Sequence, residues 1–201
     1  MVFDRLNRNG EPLKGQELRN AQYHGSLITA AVDKLSELGF WKERLGVADR
    51  NRMEDKEFCA ECLLSVYMND VVGSSQRILD DLYSRYKDED FSEALQRSEH
   101  LTGQIENLGI DYGFYRITGV SHLYGVWGLA LVLDKNSDSI SNYSVELNEF
   151  FTALRDKRVG NDDVKDEYRK SMNSRTKERF MRVKRVNALL QACGRADLSI
   201  S

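Results

Sequence analysis

The sequence predicts an all-α protein, and three observations carry that expectation. Pro12 is the single proline among 201 residues, so almost nothing interrupts a helix. Apolar residues recur at intervals of three and four far more often than at two. Residues that cap or end helices stand at the edges of those periodic stretches. Together they give a single multi-helix bundle over residues 1–201, with about eight or nine helices of ordinary length.

Ser26 is placed to cap a helix whose buried stripe is Ile28, Ala31, Val32, Leu35 and Leu38, with Gly39 positioned to end it in the left-handed conformation. Asp55 begins a second helix, with Phe58, Cys59, Cys62, Leu63 and Val66 on one face. Ser75 precedes Ile78, Leu79, Leu82 and Tyr86. Asp88 precedes Phe91, Leu95, Leu101, Ile105 and Leu108, and Gly109 closes that run. The stretch DYGFYRITGV, residues 111–120, mixes glycines with aromatic and β-branched residues and reads as a loop or a brief extended piece. Residues 121–133 are apolar on nearly every side, as suits a central helix enclosed by others, and Gly125 and Gly128 there permit close helix contact. A polar solvent loop over 134–142 leads to a helix around Leu147, Phe150, Phe151 and Leu154, and a last helix is expected over 164–193.

Composition narrows the function classes. With 41% hydrophobic and 30% charged residues the chain can bury an ordinary core. Its most apolar run, 126–133, is too short for a bilayer, and Asp4, Arg5, Asn7 and Arg8 stand where a secretory signal would be apolar, so no membrane partner and a cytoplasmic location are expected. Three cysteines, an odd count, agree with a reducing compartment.

Charge is distributed unevenly. Residues 54–106 hold thirteen acidic and five basic side chains, and residues 164–195 hold ten basic and three acidic. The basic C-terminal segment therefore has an anionic partner, either a nucleic acid or the acidic region of the same molecule. On a helix, Arg175, Arg179 and Arg182 share a face, Lys184 and Arg185 (with Lys177) widen the positive surface, and Phe180, Val183, Val186 and Leu190 form the buried side. These five residues, Arg175, Arg179, Arg182, Lys184 and Arg185, are the candidate nucleic-acid contacts. No stacking motif or recognition-helix pattern accompanies them, which favours solvated or internally paired charge.

Other candidate chemistry has a plain structural reading. Cys59 and Cys62 form a C-x-x-C without a second ligand pair or a βαβ setting, and both fall on an apolar stripe, so core packing is favoured over zinc or redox work. His24, His100 and His122 are isolated from one another, and Asp80, Asp81, Asp88, Glu89 and Asp90 lack the alternating pattern of a calcium loop. No metal and no cofactor is expected.

The opening stretch FDRLNRNGEPLKGQELRNAQYHG raises a different point. Its order F-x-R-x-N-x-x-G-x-x-L-x-x-x-E-[LI]-R-[ND]-A, carried by Phe3, Arg5, Asn7, Gly10, Leu13, Glu17, Leu18, Arg19, Asn20 and Ala21, resembles the bacterial family called domain of unknown function 262, the N-terminal domain family of GmrSD-type modification-dependent restriction endonucleases. Looser likeness continues through RMEDKEFCAECLLSVY and NSRTKERFMRVKRVNALL. The resemblance implies a place in restriction or phage defence. In that family a D-G-Q-Q-R signature, linked to nucleotide handling, precedes the pattern, and many relatives end in an HNH-type nuclease domain; this sequence contains neither signature. It therefore looks like the helical C-terminal part of a longer architecture or a truncated homologue, with residues 1–25 as the family-motif segment and 164–195 as the basic C-terminal segment. The implied function is a helical module that supports nucleotide sensing or DNA engagement without a complete active site, and the reading leans against an enzyme. The alternative is a stand-alone protein-interaction or oligomerisation module, forming a homodimer or docking a partner nuclease; Phe3 and Leu6 are the candidate dimer contacts.

The motif's own chemistry has two readings. Asn9-Gly10 gives a turn and Pro12-Leu13 leads into a helix starting near Lys14 or Gly15, whose free amides, with Asn7, Gly10 and Arg19, form a possible anion-binding site. The plainer reading makes Leu13 a hydrophobic staple and Glu17 a partner for the helix dipole, and it is the one favoured here.

Overall fold

A computed structural model describes residues 13–46, 50–156 and 163–201. Phe3, Arg5, Leu6, Asn7, Gly10 and Pro12, on which part of the motif reading and the dimer expectation rest, lie outside the described residues. Within them the protein is an all-α bundle without strands. In chain order the α-helices are α1 (Gly15–Gln22), α2 (Leu27–Ser36), α3 (Gly39–Arg44), α4 (Glu54–Tyr67), α5 (Gln76–Tyr86), α6 (Ser92–Glu106), α7 (Val120–Lys135), α8 (Ser144–Arg155), α9 (Asp163–Ser171) and α10 (Arg179–Ala192).

Helix α7 is the axis of the bundle. Every residue from Leu123 through Leu133 is buried, because α10, α6 and α4 pack around it. Its glycines make the α10 contact possible: a Cβ on Gly125 would stand 2.7 Å from the Arg185 side chain, and one on Gly128 would stand 2.6 Å from Val186 Cγ2. Two tryptophans join the layers with their polar edges satisfied. Trp127 Nε1 donates to Ser65 Oγ on α4 at 2.9 Å, Trp41 Nε1 donates to Thr102 Oγ1 on α6 at 3.0 Å, and the two rings meet edge to face at 5.8 Å. Cys59 and Cys62 are fully buried on α4 among these residues, and burial raises both thiol pKa values. Their core-packing role is the one the structure displays.

Several local signals act as the sequence suggested. Ser26 accepts from the Thr29 amide at the start of α2, and Gly109 has φ +70° just beyond α6. Asp90, two residues before the first residue of α6, accepts the Ser92 amide at 2.8 Å and so satisfies one free donor at the start of that helix. Residues 111–119 form turns closed by Ile117 N to Tyr112 O at 2.8 Å, which is the loop alternative of the two offered.

Three local expectations need correction. Gly39 does not end α2 with a positive φ; α2 stops at Ser36 and Gly39 is the first residue of α3, whose Phe40 and Trp41 are buried. The apolar pair pulls the chain back into helix after a two-residue break. The polar stretch 134–142 is not a free solvent loop, since Ile140 is fully buried and starts a 3₁₀ turn. Finally, the helix expected over 164–193 is two helices. Asn173 and Ser174 favour turns, Arg175 adopts φ +52°, and the chain folds back so that α9 packs against α10.

The reversal at Arg175 has its own clasp. Arg185, on α10, donates to Ser171 O (2.8 Å) and Thr176 O (3.3 Å) across the turn and to Ser121 O (2.9 Å) at the start of α7. A guanidinium thus sits on the last carbonyl of α9, where the helix dipole is negative. Next to it His122 Nδ1 lies 2.8 Å from Tyr168 Oη, with the two rings stacked.

Two outcomes follow from this packing. Gly128→Ala should cost about 1–3 kcal/mol of stability in a denaturant titration, because branched Val186 cannot withdraw, and adding Val186→Ala should recover part of that loss. His122 is the source of a pH effect: burial, and then the charge of Arg185, push its pKa down from 6.5 to about 4. The unfolded chain takes up a proton near pH 6.5 and the folded chain only near 4, so the stabilisation is complete above that window and is lost as the pH falls through it. Melting curves should show a loss of about 2 kcal/mol between pH 7 and pH 4.5 that His122→Phe removes.

Candidate functional site

Helix α1 lies on the bundle against α4 and α5, and beside it opens a cavity of about 1080 Å³. The seam is held by Arg19. Its Nε donates to Gln16 Oε1 (2.9 Å), Nη1 to Gln76 Oε1 (2.7 Å) and Asp80 Oδ1 (2.8 Å), and Nη2 to Glu57 Oε2 (2.8 Å). One buried guanidinium therefore ties α1 to α4 and α5. Gln16 continues the seam by donating to Tyr83 Oη at 3.0 Å, and the absence of a Cβ on Gly15 leaves room for the end of the Gln76 side chain that Arg19 bonds.

At the start of α1, Glu17 turns back so that its carboxylate accepts the Lys14 amide at 2.6 Å, and it pairs with Arg52 at 3.2 Å. The positive end of the helix is thus filled by the chain's own anion, in line with the plainer of the two motif readings. Of the possible anion-binding set, Arg19 is committed to its four side-chain partners, and Asn7 and Gly10 lie outside the described residues.

The far wall of the cavity is α4, which presents Glu57, Phe58 and Glu61, and the connector before α10, which presents Lys177. Lys177 Nζ is 2.5 Å from Glu57 Oε1 and 3.7 Å from Glu61 Oε1. Glu61 is only 2% exposed, its Oε2 accepts from Arg182 Nη2 at 2.5 Å, and its Oε1 has no hydrogen-bond partner.

Behind Glu61 lies Arg182, a buried cation of the C-terminal segment. It donates to Val72 O (2.9 Å) and Ser74 Oγ (2.8 Å) as well as Glu61, and its guanidinium carbon lies 3.6 Å from the centre of the Tyr124 ring. Burial is the largest influence and opposes its charge, yet Glu61, with smaller help from Tyr124 and Cys62, leaves the Arg182 pKa raised.

The three-arginine surface expected on the last helix is therefore not formed. Arg182 is 2% exposed and Arg185 fully buried, while Phe180, expected inside, is 51% exposed. The helix is rotated from the apolar-stripe reading because Arg182 pairs with the buried Glu61 carboxylate and Arg185 donates to three backbone carbonyls, although burial still lowers the Arg185 pKa. Arg179 pairs with Asp70 at 2.9 Å, Lys184 pairs with Glu167 at 2.7 Å, and of the five candidate residues Arg175 alone keeps an exposed guanidinium outside an ion pair. The charge asymmetry has the internal explanation left open above: Glu57, Glu61 and Asp70 from the acidic region meet Lys177, Arg182 and Arg179 from the basic one.

The cavity and its buried carboxylate are what sequence reasoning missed. Glu61 falls on a helix face between Phe58 and Leu64, and a charged residue inside an apolar run was the available sign. Among the described residues no group of three or more His, Cys, Asp or Glu side chains is placed to hold a metal ion, and no helix is long and apolar enough to cross a membrane.

The Arg182–Glu61 pair makes a sharp prediction. Arg182→Ala should destabilise the protein by about 3–5 kcal/mol, since it strands a buried carboxylate, whereas Arg182→Met combined with Glu61→Leu should restore much of the loss in a urea titration. Compared with known proteins, the chain matches no family model, no curated protein and no solved structure.

Proposed function

We propose that the chain is the helical module of a bacterial restriction or phage-defence protein resembling the domain of unknown function 262 family, and that its contribution is support. It holds the motif-bearing helix α1 in one register against a rigid body, where nucleotide sensing or DNA engagement by the larger assembly relies on it, and it has no complete active site of its own. The observation that carries this reading is Arg19. A motif residue that is 2% exposed and commits four of its five N–H donors to side chains of α1, α4 and α5 acts as a clamp within the fold. Glu17 likewise closes the start of α1 on itself. The basic segment adds to the same reading, because its charges stitch α10 and the connector to α4 and to Asp70.

The proposal is tested in two arms. Purified chain with magnesium or manganese should neither hydrolyse nucleoside triphosphates nor cleave DNA, and turnover that Glu17→Ala abolishes would overturn the support role. In the bacterium that encodes it, deleting the gene should raise phage plaque counts, and Arg19→Ala should behave like the deletion while Arg175→Ala, an exposed change, should not. Equal plaque counts across a phage panel with and without the gene would remove the defence assignment.

A further inference from the structure

The cavity beside α1 has a feature the support role does not use. Glu61 lines it with a buried carboxylate oxygen, Oε1, that has no hydrogen-bond partner. An acceptor in that condition is costly unless something donates to it. Arg182 is bonded to the other oxygen, Oε2, and Lys177 Nζ sits 3.7 Å from Oε1, beyond hydrogen-bond reach, because it is drawn to Glu57 Oε1 at 2.5 Å instead. The ammonium of Lys177 is thus an imperfect, internally supplied occupant of a site built from two carboxylates one helical turn apart on α4.

We propose that this cavity binds an aliphatic polyamine, with one ammonium group of the ligand taking the place of Lys177 between Glu57 and Glu61. Three observations favour this chemistry. First, the group left without a partner is an acceptor, so the missing element is a donor, and an ammonium supplies three. Second, Asp80 and Glu54 line the same cavity with side chains 61% and 47% exposed, so both carboxylates face solvent even though Arg19 pairs with the first and Lys14 with the second. Third, the lining between charges includes Leu18, Ala21, Phe58 and Val120, apolar surface against which methylene segments lie. The competing cation sits on a flexible stem at the cavity edge: the Lys177 side chain is 47% exposed, whereas the Glu57 and Glu61 side chains it meets are 12% and 3% exposed. Arg19 does not block the site, since Glu57 Oε2 and Asp80 Oδ1 already balance its charge within the seam. The proposal is independent of the defence reading and would stand if that reading fell.

Isothermal titration of the full chain with spermidine at 150 mM salt tests it. One molecule should bind per chain. Lys177→Gln, which removes the internal competitor at a half-exposed position, should bind about tenfold more tightly. Glu61→Gln should bind at least tenfold more weakly; if circular dichroism shows that this variant is unfolded, Glu57→Gln takes its place with the same expectation. Absence of binding by both the wild type and Lys177→Gln overturns the proposal. So does unchanged or weaker binding by Lys177→Gln, or complete displacement of spermidine by magnesium at equal ionic strength, which would mark diffuse counterion attraction.

Discussion

Arg182 carries a positive charge into the centre of the helical body, and Glu61 is the group that lets it remain there. Neither would be tolerated alone, since an isolated ion in such a place costs several kcal/mol. Paired, and bonded to Val72 O and Ser74 Oγ, the guanidinium joins α10 to α4 and to the connector between α4 and α5, with Tyr124 of α7 beneath it. Three helices and a loop meet at one residue. The rotation of α10 about its axis follows from it, because placing Arg182 inward turns Phe180 outward and brings Arg185 over Gly125.

Arg185 extends the same logic to the neighbouring turn. Its three carbonyl acceptors lie at the end of α9, in the reversal and at the start of α7, so one side chain sets the angle of the α9–α10 hairpin relative to the axis helix. Gly125 and Gly128 are the counterpart on α7: they remove the bulk that would keep α10 away. Buried arginines thus act here as rigid struts. Their planar, multi-donor heads fix direction as well as distance, which a lysine in either position would not do.

The same principle operates at the edge of the bundle with a different result. Arg19 ties α1 down, and Glu17 closes its first turn, so the helix that bears the motif residues is bonded as firmly as a core element although it lies beside an open cavity. The cavity wall then combines fixed groups, Arg19 and Glu61, with movable ones such as Lys177.

How much of this was legible beforehand depends on the range over which each feature is set. Helix content, the Ser26 cap, the Gly109 ending and the enclosure of α7 are local or periodic properties, fixed by neighbours three or four residues away, and they could be read directly. The close approach at Gly125 and Gly128 was likewise visible as missing bulk, though its partner was not. The orientation of α10 was misread because periodicity counts arginine as polar and places it outside. A residue's neighbours in sequence cannot reveal that Glu61, more than a hundred positions earlier, waits to receive Arg182. The break at Arg175 was hidden for a related reason, since a left-handed arginine is held only by the hairpin packing around it. Helix type follows from short-range sterics and spacing; which face of a helix is buried, and which charges share the interior, follow from long-range pairing that exists only once the chain has closed on itself.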